Sequence, residues 1–328
     1  MKSLLISRRS LTLSAMAAAF TGLPRGARAA FPDRTIRILV GFAAGGTVDA
    51  VARLLAYGMG PILGQQVIIE NKPGGSGSIA ANSAITAAPD GDTLLFGIFS
   101  LAVAPALMKL NFDTTRDLTA VSQVATVPLF MLTTTKSPFH NVAEVVTAAK
   151  SAPDTITYGS GGVGSSAHMA AELFGRRAGI RLVHVPYRGS APAMQGLVAG
   201  EVQLLWDTPT STMSNYIKQG QLRPLAVMSH KRLAAFPAIP AIDEAGLGGD
   251  LEVQAWQGVL VRTGTPPDVI ATLNRAVVQA MNQPDIRQRI AAIGVEPMAT
   301  TPQAFEAFFK AEVTRWTAVA HSAGLKAQ

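Results

Sequence analysis

A pattern that occurs twice constrains the fold more than any other feature of the chain: an apolar strand, a glycine-rich loop, and a helix that opens with small or hydroxyl residues. The first copy is "ILVGFAAGGTVDAVARLL" (38–55) and the second is "ITYGSGGVGSSAHMAAELF" (156–174). Short apolar strands that alternate with helices are typical of a parallel sheet covered on both faces. The sequence therefore predicts an α/β protein with two such units.

The same alternation extends through the rest of the chain. In the first half we predict strands at 35–40, 66–70 and 93–99, helices at 47–60 and 77–88, and a β-rich crossing at 117–135. The second half is expected to hold strands at 155–159, 181–185, 202–206 and 222–228, and helices at 141–150, 165–178, 190–199 and 210–218. A strand at 252–262 then returns, and helices that begin near prolines follow at 267–281, 284–292 and 302–322. This order predicts two lobes, with residues 30–125 and 240–328 in lobe 1 and residues 126–239 in lobe 2.

The N-terminus is typical of an export signal. Arg8 and Arg9 precede an apolar run at 11–23 and a small-residue cleavage site near Ala29, which predicts a periplasmic protein with a twin-arginine-like signal peptide at residues 1–29. The apolar run is short for a membrane anchor, the alternative interpretation. Residues 1–29 carry five of the 28 basic residues and none of the 21 acidic ones, so the remaining chain has a net charge of +2 instead of +7. That charge gives no support for a nucleic-acid partner.

Several classes of chemistry are excluded by composition. The chain has no cysteine, which excludes disulfides, catalytic thiols and cysteine-ligated metal centres. The five histidines are scattered, without an H-x-x-x-H pair or a carboxylate cluster at ligand spacing. We therefore expect no metal, and the leading interpretation of the sequence also includes no cofactor and no catalytic residues.

The two glycine-rich loops are suited to binding an anion. A helix N-terminus presents unpaired backbone N–H groups and a partial positive charge, and glycines allow a ligand to approach the backbone closely. In open α/β sheets such loops lie where ligands bind. The candidates are Gly45, Gly46 and Thr47 in the first loop, and Ser160, Gly161, Gly164, Ser165 and Ser166 in the second. The alternative is that the glycines only permit tight turns.

Two enzymatic interpretations remain open at this point. Residues 159–164 match G-x-G-x-x-G, the dinucleotide fingerprint, but the following strand supplies no acidic residue for a ribose. Ser160, His168 and Asp207 are the members of an imaginable catalytic triad, although Tyr158 replaces the first glycine of a G-x-S-x-G elbow. His168 is expected to anchor the loop or pack. A periplasmic cofactor-dependent or serine-hydrolase-type enzyme is therefore the alternative function.

Two aspartates are placed where a ligand could meet them. Asp49 lies in the first turn of its helix, where the helix dipole favours a carboxylate, and ligand contact is the equal alternative. Asp207 ends the apolar strand "VQLLW", where a charge requires a partner or a cleft. We favour the cleft for Asp207.

Taken together in their order, several stretches resemble the periplasmic solute-binding proteins of tripartite tricarboxylate transporters, the Bug or TctC-type receptors. They are "FPDRTIRILVGFAAGGTVDAVARLLA", "VIIENKPGGSGSIAA", "AAPDGDTLLFG", "YGSGGVGSSAHMAAELF", "VPYRGSAPAMQGLVAGEVQLLWD" and "GQLRPLAVMSHKR". The resemblance covers essentially the whole chain after the signal peptide. It implies a two-lobed periplasmic binding protein of the Venus-flytrap, type II-like fold, which captures a small organic carboxylate and delivers it to transporter subunits in the membrane. It implies a monomer without enzymatic activity, and a signalling receptor would use the same cleft.

The resemblance also implies which residues bind the ligand. The family's two loops match residues 42–49 and 158–168, and the family's aspartate matches Asp207. The predicted ligand-binding residues are Phe42, Ala43, Gly45, Gly46, Thr47, Asp49, Ser100, Tyr158, Ser160, Gly164, Ser165, Ser166, His168 and Asp207.

One departure from the family suggests the ligand's chemistry. The family's third loop is usually rich in Ser, Thr and His, whereas the matching stretch here, "GIFSLAVAPAL" (97–107), has Ser100 as its only hydroxyl. Trp206 also directly precedes Asp207. We therefore predict a ligand with an apolar or aromatic body and one carboxylate, rather than a citrate-like anion.

Overall fold

Residues 31–233 and 236–325 are described by the computed structural model, and they form two β-sheets flanked by helices. This arrangement confirms the predicted two-lobed α/β fold. The predicted signal peptide lies outside the described residues. None of the described helices is long and apolar enough to cross a lipid bilayer.

The strands lie close to their predicted positions. In chain order they are β1 (Ile36–Val40), β2 (Val67–Asn71), β3 (Thr93–Ile98), β4 (Leu118–Pro128), β5 (Phe130–Thr134), β6 (Thr157–Ser160), β7 (Val183–Pro186), β8 (Leu204–Asp207), β9 (Leu222–Val227), β10 (Gln254–Arg262) and β11 (Glu296–Pro297). The two-residue strand β11 was not predicted, because its pairing is set by tertiary contact with β4.

The α-helices follow the predicted alternation with one addition. They are α1 (Thr47–Leu63), α2 (Ser78–Thr86), α3 (Ser100–Leu107), α4 (Val142–Ser151), α5 (Ser166–Ala178), α6 (Ser190–Ala199), α7 (Ser211–Lys218), α8 (Pro267–Met281), α9 (Pro284–Ala292) and α10 (Pro302–Ser322). Prolines begin α8, α9 and α10, as predicted, because a missing N–H is harmless in the first turn. Short 3₁₀ turns lie at Gly75–Gly77 and Ile242–Ala245.

The first sheet has the strand order β11–β4–β10–β3–β1–β2. Strand β1 runs parallel to β2 and β3, whereas β10 is antiparallel to both β3 and β4. The sheet is therefore mixed instead of purely parallel, because β10 enters it on returning from the second sheet. This return places residues of β10 beside the carboxyl end of β3.

The second sheet has the order β7–β6–β8–β5–β9, with β6 parallel to β7 and β8, and β5 antiparallel to β8 and β9. The chain leaves the first sheet after Pro128 and enters the second at Phe130. On the way back, Ala241 still pairs with Val227 of β9, and Ile239 packs in the same apolar cluster. The lobe limits given above stay predictions.

The C-terminal helix α10 packs against elements from both halves of the molecule. It contacts α3 and β4 on one side and α5 on the other. Its Trp316 is fully buried and meets the ring of Phe99 edge-on, with 4.9 Å between ring centroids. Near its end, the Arg176 guanidinium of α5 donates a hydrogen bond to Ser322 Oγ. This helix therefore ties the two sheets together on one side.

Candidate functional site

A cavity of about 630 Å³ lies between the two sheets. Its walls come from the loops that follow β1, β3, β6, β7 and β8, and its floor includes residues of β10. Carboxyl ends of parallel strands meet at one edge of each sheet, which is why these separate loops converge.

Five helix N-termini of the described chain contribute to the wall of this cavity. They belong to α1 at Gly46, α3 at Ser100, α5 at Ser165, α6 at Gly189 and α7 at Thr210. Gly46 and Gly189 cap their helices without any side-chain hydrogen bond, so the first backbone N–H groups of these helices are available to an outside acceptor. No lysine or arginine of the described chain lines the cavity. Among the described residues, the partial positive charges that this lining offers to an anion are therefore those of the helix N-termini.

Asp49 stabilises the first glycine-rich loop through hydrogen bonds outside the cavity lining. Its Oδ2 accepts hydrogen bonds from Gly45 N at 3.0 Å and Arg53 Nε at 2.8 Å, and its Oδ1 accepts one from Asn71 Nδ2 at 2.9 Å. Burial alone raises the pKa of Asp49, but the donors from Arg53, Gly45 and Asn71 outweigh it and lower the pKa to about 2. Asp49 is 3% exposed and does not line the cavity. Its ionised carboxylate thus shapes the loop.

The two glycines of this loop differ in conformation. Gly45 has a φ of 89°, in the left-handed region that favours glycine. Gly46 has an ordinary extended conformation, with φ −81° and ψ 170°. Gly45 therefore makes the turn, and Gly46 presents its backbone to the cavity.

The second loop is held by a hydrogen-bonded serine–histidine pair, of which Ser160 is fully buried and His184 partly buried. Ser160 Oγ shares a hydrogen bond with His184 Nε2 at 2.7 Å and accepts another from Gly162 N at 3.1 Å. The ring of His184 stacks on Tyr158, with 4.9 Å between centroids. Burial lowers the pKa of His184 to about 4. This histidine is therefore neutral at physiological pH and serves as a hydrogen-bonding support for the loop.

His168 supports the same loop from the first turn of α5. Gly164 N donates to His168 Nδ1 at 3.2 Å, and the ring stacks on that of His184 with 4.2 Å between centroids. Burial, together with the nearby His184, lowers the pKa of His168 to about 3. Because Nδ1 accepts a hydrogen bond from the backbone, the ring proton lies on Nε2. His168 anchors the loop, one of the two roles expected for it.

Asp207 ends β8 at the wall of the cavity and is only 5% exposed. Its Oδ1 accepts hydrogen bonds from Ser190 Oγ at 3.1 Å and from Thr208 N at 2.8 Å. Burial raises the pKa of Asp207 to about 6 in spite of these two donors. The predicted position in a cleft agrees with this placement. Since Ser160 pairs with His184 and Asp207 with Ser190, no hydrogen bond links Ser160, His168 and Asp207 into a triad in the described chain.

Two interpretations drawn from sequence are corrected by the structure. The stretch at 97–107 is not a loop: it ends β3 and forms α3, and Ser100 Oγ donates to Ser76 O at 2.7 Å. Its run of leucine and alanine is the helix signal that was overlooked. Trp206 faces away from the cavity, because alternate residues of a strand point to opposite faces, and packs on Phe174 with 5.5 Å between centroids.

Eight predicted ligand-binding residues line the cavity, and six do not. The eight are Phe42, Ala43, Gly46, Thr47, Ser100, Ser165, Ser166 and Asp207. The six are Gly45, Asp49, Tyr158, Ser160, Gly164 and His168; of these, Gly164 and His168 border a neighbouring cavity of about 560 Å³ that shares Ser76, Ser100 and Val163 with the first. Ligand contact by any of the fourteen residues stays a prediction.

Sequence reasoning missed a further part of the lining. Ser190, Thr208, Thr210 and Thr212 add hydroxyl or backbone groups beside Asp207, and Trp256 and Gln257 belong to the floor. The strand–loop–helix rule applied to the starts of α6 and α7 would have found the first four. Strand β10 carries no such signal, because its position depends on pairing with distant strands.

Comparison with known proteins identifies the family. A family model described as the tripartite tricarboxylate transporter family receptor, TctC, matches residues 51–325. A Pseudomonas sp. (strain P51) protein, named for the tcbD-tcbE intergenic region, is 35% identical over 314 residues, 95% of this chain and 93% of that protein.

Solved structures agree with this match. The periplasmic binding protein BugD is 32% identical, with a TM-score of 0.78 over 91% of this chain and 100% of its own. Rpa4515 of R. palustris, solved with adipate, is 33% identical, with a TM-score of 0.80 over 91% and 100%. MatC (Rpa3494) of Rhodopseudomonas palustris, solved with bound malate, is 32% identical, with a TM-score of 0.75 over 88% and 99%. This chain therefore belongs to the TctC family of tripartite tricarboxylate transporter receptors, which are periplasmic solute-binding proteins and not enzymes.

Proposed function

We propose that this protein captures a small organic carboxylate between its two glycine-rich loops and delivers it to the membrane subunits of a tripartite transporter. The observation that carries the proposal is the convergence of five helix N-termini on one cavity that no lysine or arginine among residues 31–233 and 236–325 lines. Each N-terminus near an anion contributes about 0.3–1 kcal/mol. Several acting together hold a carboxylate without a counter-ion.

The cavity's position between the sheets supports a closing mechanism. Helix α1 follows strand β1 of the first sheet, and α5 follows strand β6 of the second sheet. A single carboxylate in contact with the N-termini of both helices therefore connects the two lobes. The loops are already close to the opposite lobe: a Cβ built on Gly164 would lie 3.1 Å from Leu107 Cδ1 of α3. A ligand that contacts both lobes shifts the population toward the closed form, because only that form offers both sets of contacts.

The lining supports an organic anion with an apolar body. Phe42, Ile98, Val127, Val163 and Met194 supply apolar surface around the helix N-termini. Adipate, with which the similar R. palustris protein was solved, has such an apolar body but carries two carboxylates instead of the one predicted from the sequence. We also propose aromatic carboxylates as candidate ligands. The apolar lining supports them, whereas Trp206 does not, because it faces away from the cavity.

We also propose a cellular location and an oligomeric state for the protein, on the basis of its family and its N-terminal sequence. We propose that it is exported to the periplasm after cleavage near Ala29 and that it works as a monomer. The family assignment and the export signal in the sequence support this setting.

A thermal-shift screen of the purified protein tests the binding step. We expect small carboxylates, among them adipate, malate and benzoate, to include at least one that raises the melting temperature, because a ligand that binds the folded state stabilises it. Dimethyl adipate, which keeps the carbon chain but lacks the charge, is the matched control and is expected to have no effect. Stabilisation by the ester and the acid alike would contradict an anion site.

Uptake measurements test the delivery step. Cells lacking this gene are expected to take up the identified ligand more slowly than cells that carry it. Unchanged uptake, together with a lost transcriptional response to the ligand, would instead assign the protein to signalling.

A further inference from the structure

Gln257 is a buried polar side chain in the cavity floor without a protein partner for its acceptor. It lies on β10, lines the cavity and is 4% exposed. Its carboxamide oxygen is buried and has no hydrogen-bond partner among the described residues. Buried polar groups in folded proteins nearly always have a hydrogen-bond partner, so the unpaired oxygen of Gln257 requires an explanation.

The described side chains beside Gln257 in the cavity floor offer no hydrogen-bond partner for this oxygen. Ile98, Val127 and Ala255, which form the floor beside it, are apolar. A half-turn of the carboxamide exchanges its oxygen and its nitrogen. The group can therefore present either an N–H donor or a C=O acceptor to a molecule in the cavity.

The pairing of strands in the first sheet determines how far Gln257 lies from the strand that leads into the first glycine-rich loop. Val40 of β1 pairs with Phe96 of β3, and Ile98, two residues further along β3, pairs with Gln257 of β10. Neighbouring strands are about 4.8 Å apart, so β10 lies roughly 10 Å from β1, the strand that leads into the first glycine-rich loop. Gly46, Ile98 and Gln257 line the same cavity, so a short chain whose carboxylate lies at the N-terminus of α1 can cross Ile98 and reach Gln257.

We propose that Gln257 is a specificity-determining residue whose carboxamide hydrogen-bonds a second polar group at the far end of the bound carboxylate. The cavity then selects linear chains with a carboxyl or carboxamide group at each end over monocarboxylates of the same length. This inference rests on the proposed function, since it assumes that the first carboxylate lies at the glycine-rich loops.

Three ligands of one chain length test the inference by calorimetry: adipate, its monoamide and hexanoate, which lacks the second polar group. The variants are Gln257→Leu and Gln257→Met. Gln254→Leu is the matched control, because Gln254 lies on the same strand outside the cavity. We expect the wild type to bind adipate or its monoamide at least about tenfold more tightly than hexanoate. Both Gln257 variants are expected to lose that preference while binding hexanoate as well as the wild type does, and Gln254→Leu is expected to keep it.

Both Gln257 variants are expected to fold, because they remove an unpaired polar group and leave no new one. Their melting temperatures without ligand should equal or exceed that of the wild type. A preference for the two-ended ligands that persists in both variants would overturn this inference alone, as would an equal loss of affinity for all three ligands. A wild type that binds none of the three, nor any carboxylate of the thermal-shift screen, would overturn the proposed function and this inference together.

Discussion

Ser190 Oγ donates a hydrogen bond to Oδ1 of Asp207 over 3.1 Å, and so joins the first residue of α6 to the last residue of β8. The acceptor is a buried carboxyl group whose pKa burial raises to about 6. The proposed anion site therefore contains one group that is negative at pH 8 and largely neutral at mildly acidic pH.

Carboxylate binding should therefore depend on pH. We expect affinity to rise as the pH falls from 8 to 5.5, because Asp207 takes up a proton and no longer repels the ligand. Asp207→Asn, which keeps the neutral form at all pH values, should bind as tightly at pH 8 as the wild type does at pH 5.5. Calorimetric titrations across this range measure the effect, and affinity that instead increases with pH would show that the ligand donates to an ionised Asp207.

Asp207 should also influence the stability of the unliganded protein. Its pKa in the folded state, about 6, lies above the 3.8 of an unperturbed aspartate, so its contribution is most favourable below pH 4 and is lost as the pH rises through 6. Asp207→Asn is accordingly expected to gain stability relative to the wild type above pH 6. Urea unfolding at pH 5 and pH 8 compares the two proteins, and an equal difference at both pH values would contradict the raised pKa.

Substitutions at Gly45 and Gly46 should have different effects. A Cβ on Gly46 would meet only Ala43 O, at 4.0 Å, so Gly46→Val should fold and weaken carboxylate binding at least about tenfold by blocking the N-terminus of α1. Gly45→Ala should instead lose about 1–2 kcal/mol of stability, because its φ is left-handed. Calorimetry and urea unfolding of each variant measure the contrast, and full affinity in Gly46→Val would remove this helix end from the site.

Asp49→Asn should loosen the first loop. The substitution removes a buried charge from Gly45 N and Arg53, and we expect a loss of about 2 kcal/mol at pH 7 together with weaker ligand binding. Since the folded pKa of about 2 lies below 3.8, the carboxylate stabilises the protein above pH 4 and that stability is lost as the pH falls through 2. Asp154→Asn, at an exposed ion pair with Arg181, is the control and should change the stability at pH 7 far less than Asp49→Asn does, because exposed ion pairs contribute little. Equal losses in the two variants would contradict the role of Asp49.

Histidine NMR can test the neutral pair behind the second loop. We expect the rings of His168 and His184 to show no titration between pH 5.5 and 8, because burial lowers both pKa values to about 3 and about 4. His230 should titrate within or above that range, since Asp243 raises its pKa. Nitrogen chemical shifts should further show the His168 proton on Nε2, and a protonated Nδ1 at pH 7 would contradict the hydrogen bond from Gly164.

Local patterns were enough to predict most elements of the fold. The prolines at 267, 284 and 302 marked three helix starts correctly, and the glycine-rich loops were placed directly before α1 and α5. The exception was α3, where an apolar run after β3 was interpreted as a loop through resemblance to the family. Intrinsic propensity for a helix was the better guide at that position.

The sequence by itself determined the two-lobed α/β fold, the family and the two loops that end in helix N-termini, because each depends on residues close together in the chain. Only the tertiary structure decided which residues face the cavity, with Asp49 and His168 behind the loops, Ser190 in the wall and Gln257 in the floor. Those positions depend on pairing between strands such as β3 and β10, which are more than a hundred residues apart. A pattern of apolar and small residues specifies that a strand is buried, but its neighbour and register are chosen by the packing of the whole sheet.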